Sequence, residues 1–366
     1  MTKKEIAVEI FRLLEENHKN LYHDISKEDF EVELNKFLEK ADDLDNIHFD
    51  AGISRLFALF KDAHTSYFMP WKCVSAKIKY INGKYYLYDA EKKVCEEIVK
   101  VNGFDIQQVS ENLKSLIAYE FDSWANKCVA DRLSSINHLR MIDCVKNNNY
   151  SSIEYTLASG EVVVSAWGDF VPQEKPHYSF AFEADILIVD YFRCMNMKDY
   201  SFQQFVEDIK VACKNPPEAC LVDLRGNSGG SSEIILPLID WLKENNIPTY
   251  VLMNEDVFSS GTFALFYLKK HLDAKFIGTD AGQGGCRYGQ QKTLEVEGRR
   301  FGCSEKLFDF TSWCDEELRK YFNKDHPISP DVYLPEKVED IRRGIDGQKK
   351  ACFTLIQNEI AAGKRL

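Results

Sequence analysis

Two polar turns, each between an apolar run and a helical pattern, contain the residues best suited to chemistry. In the first turn, the largely apolar run 221–224 leads into residues 225–230, which end in the adjacent glycines Gly229 and Gly230. Adjacent glycines allow a sharp turn that exposes backbone N–H groups. N–H groups at a strand-to-helix turn can stabilise a developing negative charge. The residues alone therefore predict an anion-binding turn or a plain structural turn.

The second turn, residues 257–262, carries two consecutive serines, Ser259 and Ser260. It follows the apolar run 249–253 and precedes a helical pattern over 261–271. A serine at this place is commonly the N-cap of a helix. The functional interpretation is a nucleophile on a sharp turn, with the next backbone N–H directed at an oxyanion. Both interpretations stay open at this point.

A histidine, His64, follows the third helical pattern of the chain. A serine hydroxyl is a weak nucleophile and needs a partner base, and a neutral imidazole can be that base near neutral pH. A single histidine after a helix is also commonly structural. Asp62 lies too near in sequence to be the obvious partner of the His64 ring. His64 is therefore a candidate base.

The hydrophobic pattern predicts the elements that hold these residues. Apolar residues at helical spacing predict a helical bundle over 1–61 that stops near 62–66. Alternation predicts hairpins that turn at Asn82-Gly83 and at Ser159-Gly160. From about residue 180 strands and helices alternate, which is typical of an α/β layer architecture. The individual predictions are hairpins over 77–87 and 155–166, strands at 99–103, 184–191, 219–224, 249–253 and 275–278, and helices at 106–117, 202–213, 233–242 and 261–271.

Length and composition exclude several classes of protein. The 366 residues have room for two or three domains, and the net charge of −12 argues against nucleic acid as the main partner. No apolar run approaches the roughly 18 residues of a membrane span, and the first residues lack the uncharged apolar core of a signal peptide. We therefore expect a soluble, cytoplasmic protein. Its eleven cysteines form no CxxC pair, which favours reduced, buried thiols.

Taken in order, these motifs resemble the C-terminal processing (tail-specific) serine peptidase family. The resemblance rests on residues 18–22, 62–65, 223–230, 251–261, 277–282, 329–332, 340 and 344–346. It implies an α/β fold with the ββα core that ClpP and crotonase enzymes share. An N-terminal helical bundle and a small mixed α+β middle region, PDZ-like or degenerate, would accompany that core. The expected domains are 1–70, 71–168, 178–350 and a C-terminal helix at 351–366, with a linker at 168–178.

The resemblance also implies roles for individual residues. Ser259 would be the nucleophile, favoured over the alternative Ser260 by alignment on Phe258, and His64 would be the base. The oxyanion would be held by the N–H groups of Ser260 and of Gly229 or Gly230. An acid that orients His64 is expected in the C-terminal segment, at Glu316 or Glu317. The substrate would be a peptide or an unfolded protein, with no cofactor, no metal, no nucleic acid and no membrane, and the oligomeric state stays open.

Two positions depart from the family pattern. Many members use a Ser–Lys dyad, but the place of that lysine is Gly284, and Lys275 lies in the predicted strand before it. Other branches use histidine as the base, which fits His64. The glutamate common in the nucleophile segment is replaced by Thr262.

Two alternatives to a Ser–His peptidase stay open, and the missing lysine supports the first of them. One is a catalytically inactive homologue that binds peptides without cutting them. The other is a cysteine-dependent hydrolase that uses Cys286, which follows two glycines.

Overall fold

The structure is a computed structural model that describes residues 1–89, 94–145, 150–168 and 175–363. The chain forms two compact units, each made from two separate stretches. The first unit is Met1–Val171 with Arg287–Phe308, and the second is Pro172–Cys286 with Asp309–Leu366. Most of the predicted linker, residues 169–174, lies outside the described residues, and the four predicted domain ranges stay a prediction.

The first unit consists of groups of helices and groups of antiparallel strands. Its helices are α1 (Lys3–Asn17), α2 (Lys27–Leu38), α3 (Asn46–Ala58), α4 (Ile106–Lys114), α5 (Asp122–Arg132) and α6 (Ile136–Met141). Its strands are β1 (Lys77–Ile81), β2 (Lys84–Asp89), β3 (Val94–Val101), β4 (Phe104–Asp105), β5 (Ser152–Leu157) and β6 (Val162–Ala166). Most of the hairpin β12 (Cys286–Val296) and β13 (Arg299–Asp309) also belongs to it.

The predicted N-terminal helices are confirmed, and each starts at a side-chain cap. The caps are Thr2, Ser26 and Asp45, whose oxygens accept N–H groups of the first turns of α1, α2 and α3. The apolar faces of the three helices share one core with residues of the β12–β13 hairpin. Phe301 is fully buried there, with its ring 5.8 Å from that of Phe57.

The predicted hairpins of the first unit are confirmed as well. One sheet has the order β1-β2-β3-β5-β6, with β4 paired to β3. Asn82 and Gly83 join β1 to β2 with φ values of 49° and 86°, as a two-residue hairpin turn requires. Helices α5 and α6 were not predicted, because α5 lacks a one-sided apolar pattern and α6 has only six residues.

The second unit is an α/β layer structure, as the alternation predicted. Its strands are β7 (Tyr178–Glu183), β8 (Ile186–Tyr191), β9 (Ala219–Asp223), β10 (Thr249–Met253), β11 (Lys275–Gly278) and β14 (Val332–Tyr333). Its helices are α7 (Phe202–Ala212), α8 (Leu236–Glu244), α9 (Ser260–Leu272), α10 (Val338–Arg342) and α11 (Gly347–Ala361). The sheet order is β14-β11-β10-β9-β8-β7, and its pairs are parallel except for β7 with β8.

The two central strands are covered on both faces, so they consist of continuous apolar runs. Every residue of β9 and β10 is buried. On one face, Cys352 and Ile356 of α11 pack with Leu221 and Leu252. Helix α11 begins at Gly347, a few residues before the predicted C-terminal helix.

The turns after β9 and β10 lie at the same edge of the sheet. Leu252 is the parallel partner of Asp223, so the two strands end side by side. The carboxyl edge of a parallel sheet is where such folds place their functional groups. In the described ranges, no helix combines the length and the apolar composition needed to cross a bilayer.

Candidate active site

Ser259 has a backbone conformation that L-amino acids rarely adopt. Its φ is 53° and its ψ is −122°, at the position just before helix α9. Its side chain makes no capping hydrogen bond to the backbone of α9 as described, so the N-cap interpretation does not hold. Non-glycine residues in such conformations cost of order 1–3 kcal/mol and are concentrated at functional sites. A serine on a sharp strand-to-helix turn is the geometry of a presented nucleophile.

The two serines of the turn differ in environment. Ser260 is buried, with 6% of its surface exposed, and its Oγ donates to the carbonyl of Gly230 at 2.7 Å. Ser232 Oγ lies 3.2 Å from Ser260 Oγ. Ser259 is half-buried. A nucleophile must reach its substrate, so this arrangement favours Ser259, with Ser260 fixing the glycine turn.

The glycine turn lies directly against the serine turn. A Cβ built on Gly229 would come within 2.8 Å of both Ser259 Cβ and the backbone N of Ser260. Gly229 also has a φ of 104°. Only a residue without a side chain allows this approach, and it keeps open the space around the Ser260 N–H.

A buried asparagine joins the glycine turn to its surroundings. Asn227 Oδ1 accepts the Gly229 N–H at 2.9 Å, and its Nδ2 donates to the carbonyl of Tyr191 at 2.8 Å. The neighbouring bridge of Cys194 with Gly230 uses the Gly229 carbonyl and the Ser231 N–H. Gly229 and Gly230 were the two predicted donors to the oxyanion. The Gly229 N–H already donates to Asn227, whereas the Cys194–Gly230 bridge does not use the Gly230 N–H.

The backbone of Ser259 is held from both sides. Gln283 Oε1 accepts its N–H at 2.7 Å. Its carbonyl accepts the N–H of Thr262 at 3.0 Å and the Thr262 hydroxyl at 2.6 Å. Thr262, which stands where the family carries a glutamate, therefore acts on the backbone of Ser259.

In the first unit, His64 is buried with 7% of its surface exposed. Burial lowers the pKa of its imidazole to about 4; the charge of Asp62 opposes that effect and the charge of Arg287 adds to it. A ring N–H of His64 donates to the main-chain carbonyl of Tyr288, which also favours the charged form. His64 is therefore neutral near pH 7, the state in which imidazole accepts a proton.

Asp62 holds the segment around His64 but pairs with a different histidine. Its Oδ1 accepts the His64 backbone N–H at 2.9 Å, and its Oδ2 lies 2.9 Å from His18 Nε2. Thr65 Oγ1 donates to the same Oδ2 at 2.6 Å. Burial alone would raise the pKa of Asp62, but the hydrogen bond from His18, the charge of His64 and the hydrogen bond from Thr65 lower it to about 2.

A second carboxyl group lies beneath the same segment. Glu120 Oε1 accepts the Ala63 N–H at 3.4 Å, and its Oε2 is shielded from solvent. Burial and the charge of Asp62 raise the pKa of Glu120 to about 8. Two neighbouring carboxyls thus have opposite protonation states at pH 7, as like charges in a buried site require.

The remaining predicted residues have the following surroundings. Glu316 and Glu317 are exposed on the second unit, and Glu317 pairs with Lys320 at 2.6 Å. An orienting role for either stays a prediction. Lys275 pairs with Glu359, whereas Gly284 is buried and bridges to Pro327. Cys286 is half-buried at the start of β12. Among the residues that the structure describes, no three His, Cys, Asp or Glu side chains are grouped to hold a metal ion.

Several residues around Ser259 and His64 had no predicted role. They are His18, Glu120, Asn227, Gln283 and Arg287. His18 and Asn227 lie inside segments that carry the family resemblance, which was the available signal for them. Glu120 and Arg287 lie far along the chain from His64 and have no local motif.

Solved structures of other proteins share the fold of this chain. No protein-family model matches the chain, and no curated protein matches it. Among solved structures, mature CPAF complexed with lactacystin aligns with a TM-score of 0.65 at 14% identity, covering 97% of this chain and 99% of that one. A second structure of mature CPAF gives 0.59 at 13%, with 93% and 95% covered. The photosystem II D1 C-terminal processing protease gives 0.51 at 16%, with 95% and 99% covered.

These likenesses extend over nearly the whole chain. They confirm, at the level of the fold, the resemblance to C-terminal processing peptidases that the motifs indicated. The predicted mixed α/β class is confirmed with it.

Proposed function

We propose that this protein is a serine peptidase that hydrolyses peptide bonds by a Ser–His mechanism. The observation that carries the proposal is the conformation of Ser259, a half-buried serine at φ 53° and ψ −122° beside Gly229 at the start of α9. Two further facts support it. His64 has the lowered pKa of a neutral base, and the fold is that of CPAF and the D1 processing protease.

In this mechanism Ser259 Oγ bonds to the substrate carbonyl carbon while His64 takes the hydroxyl proton. The oxyanion accepts N–H groups from Ser260 and Gly230, since the Gly229 N–H is engaged with Asn227. His64 then gives its proton to the leaving amine as the C–N bond breaks. Water hydrolyses the acyl-enzyme by the reverse proton path. Losing one oxyanion donor typically costs about 2.7–4 kcal/mol in the barrier.

The finer features of the fold belong to the same proposal. The second unit would correspond to the ββα core of ClpP and crotonase enzymes. The strands β1–β6 and helix α4 would correspond to the PDZ-like or degenerate region. The substrate would be a peptide or unfolded protein, and the protein would act in the cytoplasm without a cofactor.

Fluorophosphonate labelling with mass-spectrometric site mapping tests the assignment. We expect wild type to label at Ser259, Ser259→Ala and His64→Ala to lose the label, and Ser260→Ala to retain it at a reduced rate. The reduced rate follows because the Ser260 hydroxyl fixes Gly230. Labelling at Ser260 or at Cys286 would overturn the assignment of the nucleophile. A folded wild type that neither labels nor cleaves, but binds peptides, would be the inactive homologue.

A further inference from the structure

We infer that Gln283 holds Ser259 in its strained conformation and is thereby a positioning residue for the nucleophile. The inference rests on the proposed function for its catalytic consequence. Its structural part, that one side chain maintains the strained backbone, can be tested without any activity.

The conformation of Ser259 needs an external constraint. Its backbone lies in a region that is unfavourable for any residue with a Cβ, and such residues persist only where the surrounding structure over-determines them. Thr262 fixes the carbonyl side of Ser259 from within the first turn of α9. That leaves the N–H side, where a rotation of the preceding peptide plane would relax φ.

Gln283 acts on that N–H side. Its Oε1 accepts the Ser259 N–H at 2.7 Å, and the side chain is fully buried with 0% exposure. A buried N–H that loses its acceptor is costly, so the peptide plane before Ser259 is fixed in the orientation that points at Gln283. With both of its backbone polar groups held, Ser259 cannot relax.

The segment that carries Gln283 is itself anchored. The Gly282 N–H donates to the carbonyl of Val257 at 3.0 Å, and the Gln283 carbonyl accepts the N–H of Ile328 at 3.1 Å. The Gly285 N–H donates to the carbonyl of Asn323 at 2.8 Å. The acceptor is thus mounted on a segment bonded on both sides, so it can constrain Ser259 instead of following it.

The place of Gln283 in the sequence gives this role a specific meaning. It immediately precedes Gly284, the place where many family members carry the dyad lysine. A neutral amide cannot act as a base. In this chain the glycine-rich segment therefore supplies the geometry of the nucleophile, and proton transfer is left to another residue.

The first experiment compares fluorophosphonate labelling rates in two matched variants. Gln283→Met removes the acceptor at nearly constant side-chain volume, and we expect the rate at Ser259 to fall about 10²-fold, the effect of a misplaced reacting group. The control is Gln204→Met, because Gln204 Oε1 accepts the Ser201 N–H at 2.8 Å at the start of α7. The control should label like wild type. Equal rates in wild type and Gln283→Met would overturn the inference.

The second experiment measures stability and needs no activity. Ser259→Gly relieves the strain whereas Ser259→Ala keeps it, so we expect the glycine variant to melt about 2–4 °C above the alanine variant. In the Gln283→Met background this difference should vanish or reverse, because the backbone of residue 259 is then free to relax and glycine keeps only its larger loss of chain entropy on folding. A difference that persists in that background would overturn the inference, even if wild type never labels and the peptidase proposal itself fails.

Discussion

His18 Nε2 lies 2.9 Å from Asp62 Oδ2, and both side chains are fully buried. The acid two residues before His64 is therefore paired with a different histidine, from the end of α1. Asp62 still acts on His64, through the backbone N–H that it accepts. The buried pair of His18 and Asp62 thus positions the backbone at His64, and the carbonyl of Tyr288 orients the His64 ring.

Breaking this pair should destabilise the protein strongly. His18→Leu leaves the Asp62 carboxylate buried without its histidine, and we expect a loss of about 3–5 kcal/mol in the free energy of unfolding. The control is His48→Leu, because His48 pairs with Asp45 and Asp143 at the surface; it should cost less than about 1 kcal/mol. Urea denaturation measures both. Equal losses of unfolding free energy in the two variants would show that the buried pair stabilises the protein no more than the surface pair does.

The pH profile of labelling should follow the lowered pKa of His64. A base must be unprotonated, so the rate should rise with pH through about 4 and be level near pH 7, not rise through the ordinary histidine value of about 6.5. Arg287 lowers the pKa of His64, so Arg287→Met should move the acidic limb to higher pH. An NMR titration of the His64 ring gives the same shift without activity. If Arg287→Met changed neither the acidic limb of the labelling rate nor the NMR titration of His64, the assigned effect of Arg287 on His64 would be wrong.

Glu120 should make stability decrease with rising pH. Its pKa in the fold is about 8, above its ordinary 4.5. The stability from the neutral acid is therefore fully present below about pH 4.5 and is lost as pH rises through 8. Glu120→Gln should gain on wild type by about 2–4 kcal/mol over that range.

Denaturant unfolding at several pH values checks the Glu120 prediction. Glu111→Gln is the control, because Glu111 is an exposed carboxylate on α4 bonded to Gln107. Its difference from wild type should change less with pH than that of Glu120→Gln, because Glu111 is exposed to solvent. A Glu120→Gln difference that is equally flat would show that Glu120 is ionised in the fold.

Gly229 and Gly226 offer a matched pair for the glycine turn. Both have positive φ, 104° and 81°, but a Cβ at Gly226 would meet only a Phe192 ring atom at 4.0 Å. We expect Gly226→Ala to cost about 1 kcal/mol through its backbone alone and to label normally. Gly229→Ala should abolish labelling, because its Cβ would lie within 2.8 Å of Ser259 Cβ and the Ser260 N. Normal labelling of the Gly229→Ala variant would exclude this turn from the site.

The sequence predicted the elements well where local rules govern them. The α/β alternation of the second unit follows from fully buried strands such as β9, and the hairpins follow from turns such as Asn82-Gly83. Helix α5 was not predicted, because its burial comes from tertiary packing and not from a one-sided apolar pattern. The β12–β13 hairpin was not predicted either, although its turn contains Gly298, which has a φ of 77°.

The site could be predicted only in part for a related reason. Ser259 and the glycine turn stand in local motifs, so spacing indicated them. The N-cap alternative could be rejected only once the φ of Ser259 was known. Gln283 and His18 act through contacts over long stretches of chain, at Ser259 and Asp62 respectively, and no local pattern encodes such contacts.

The first unit is assembled from two stretches of chain, and this fixes when it can be completed during synthesis. Helices α1–α3 leave the ribosome before the second unit, yet Phe301 and Cys303, which share their core, follow only after most of that unit. Ser304, whose N–H donates to Thr65 Oγ1 at 3.1 Å, arrives equally late. The segment that carries His64 therefore waits for its last contacts until residues 301–304 have been made, which would delay any proteolytic activity in the nascent chain.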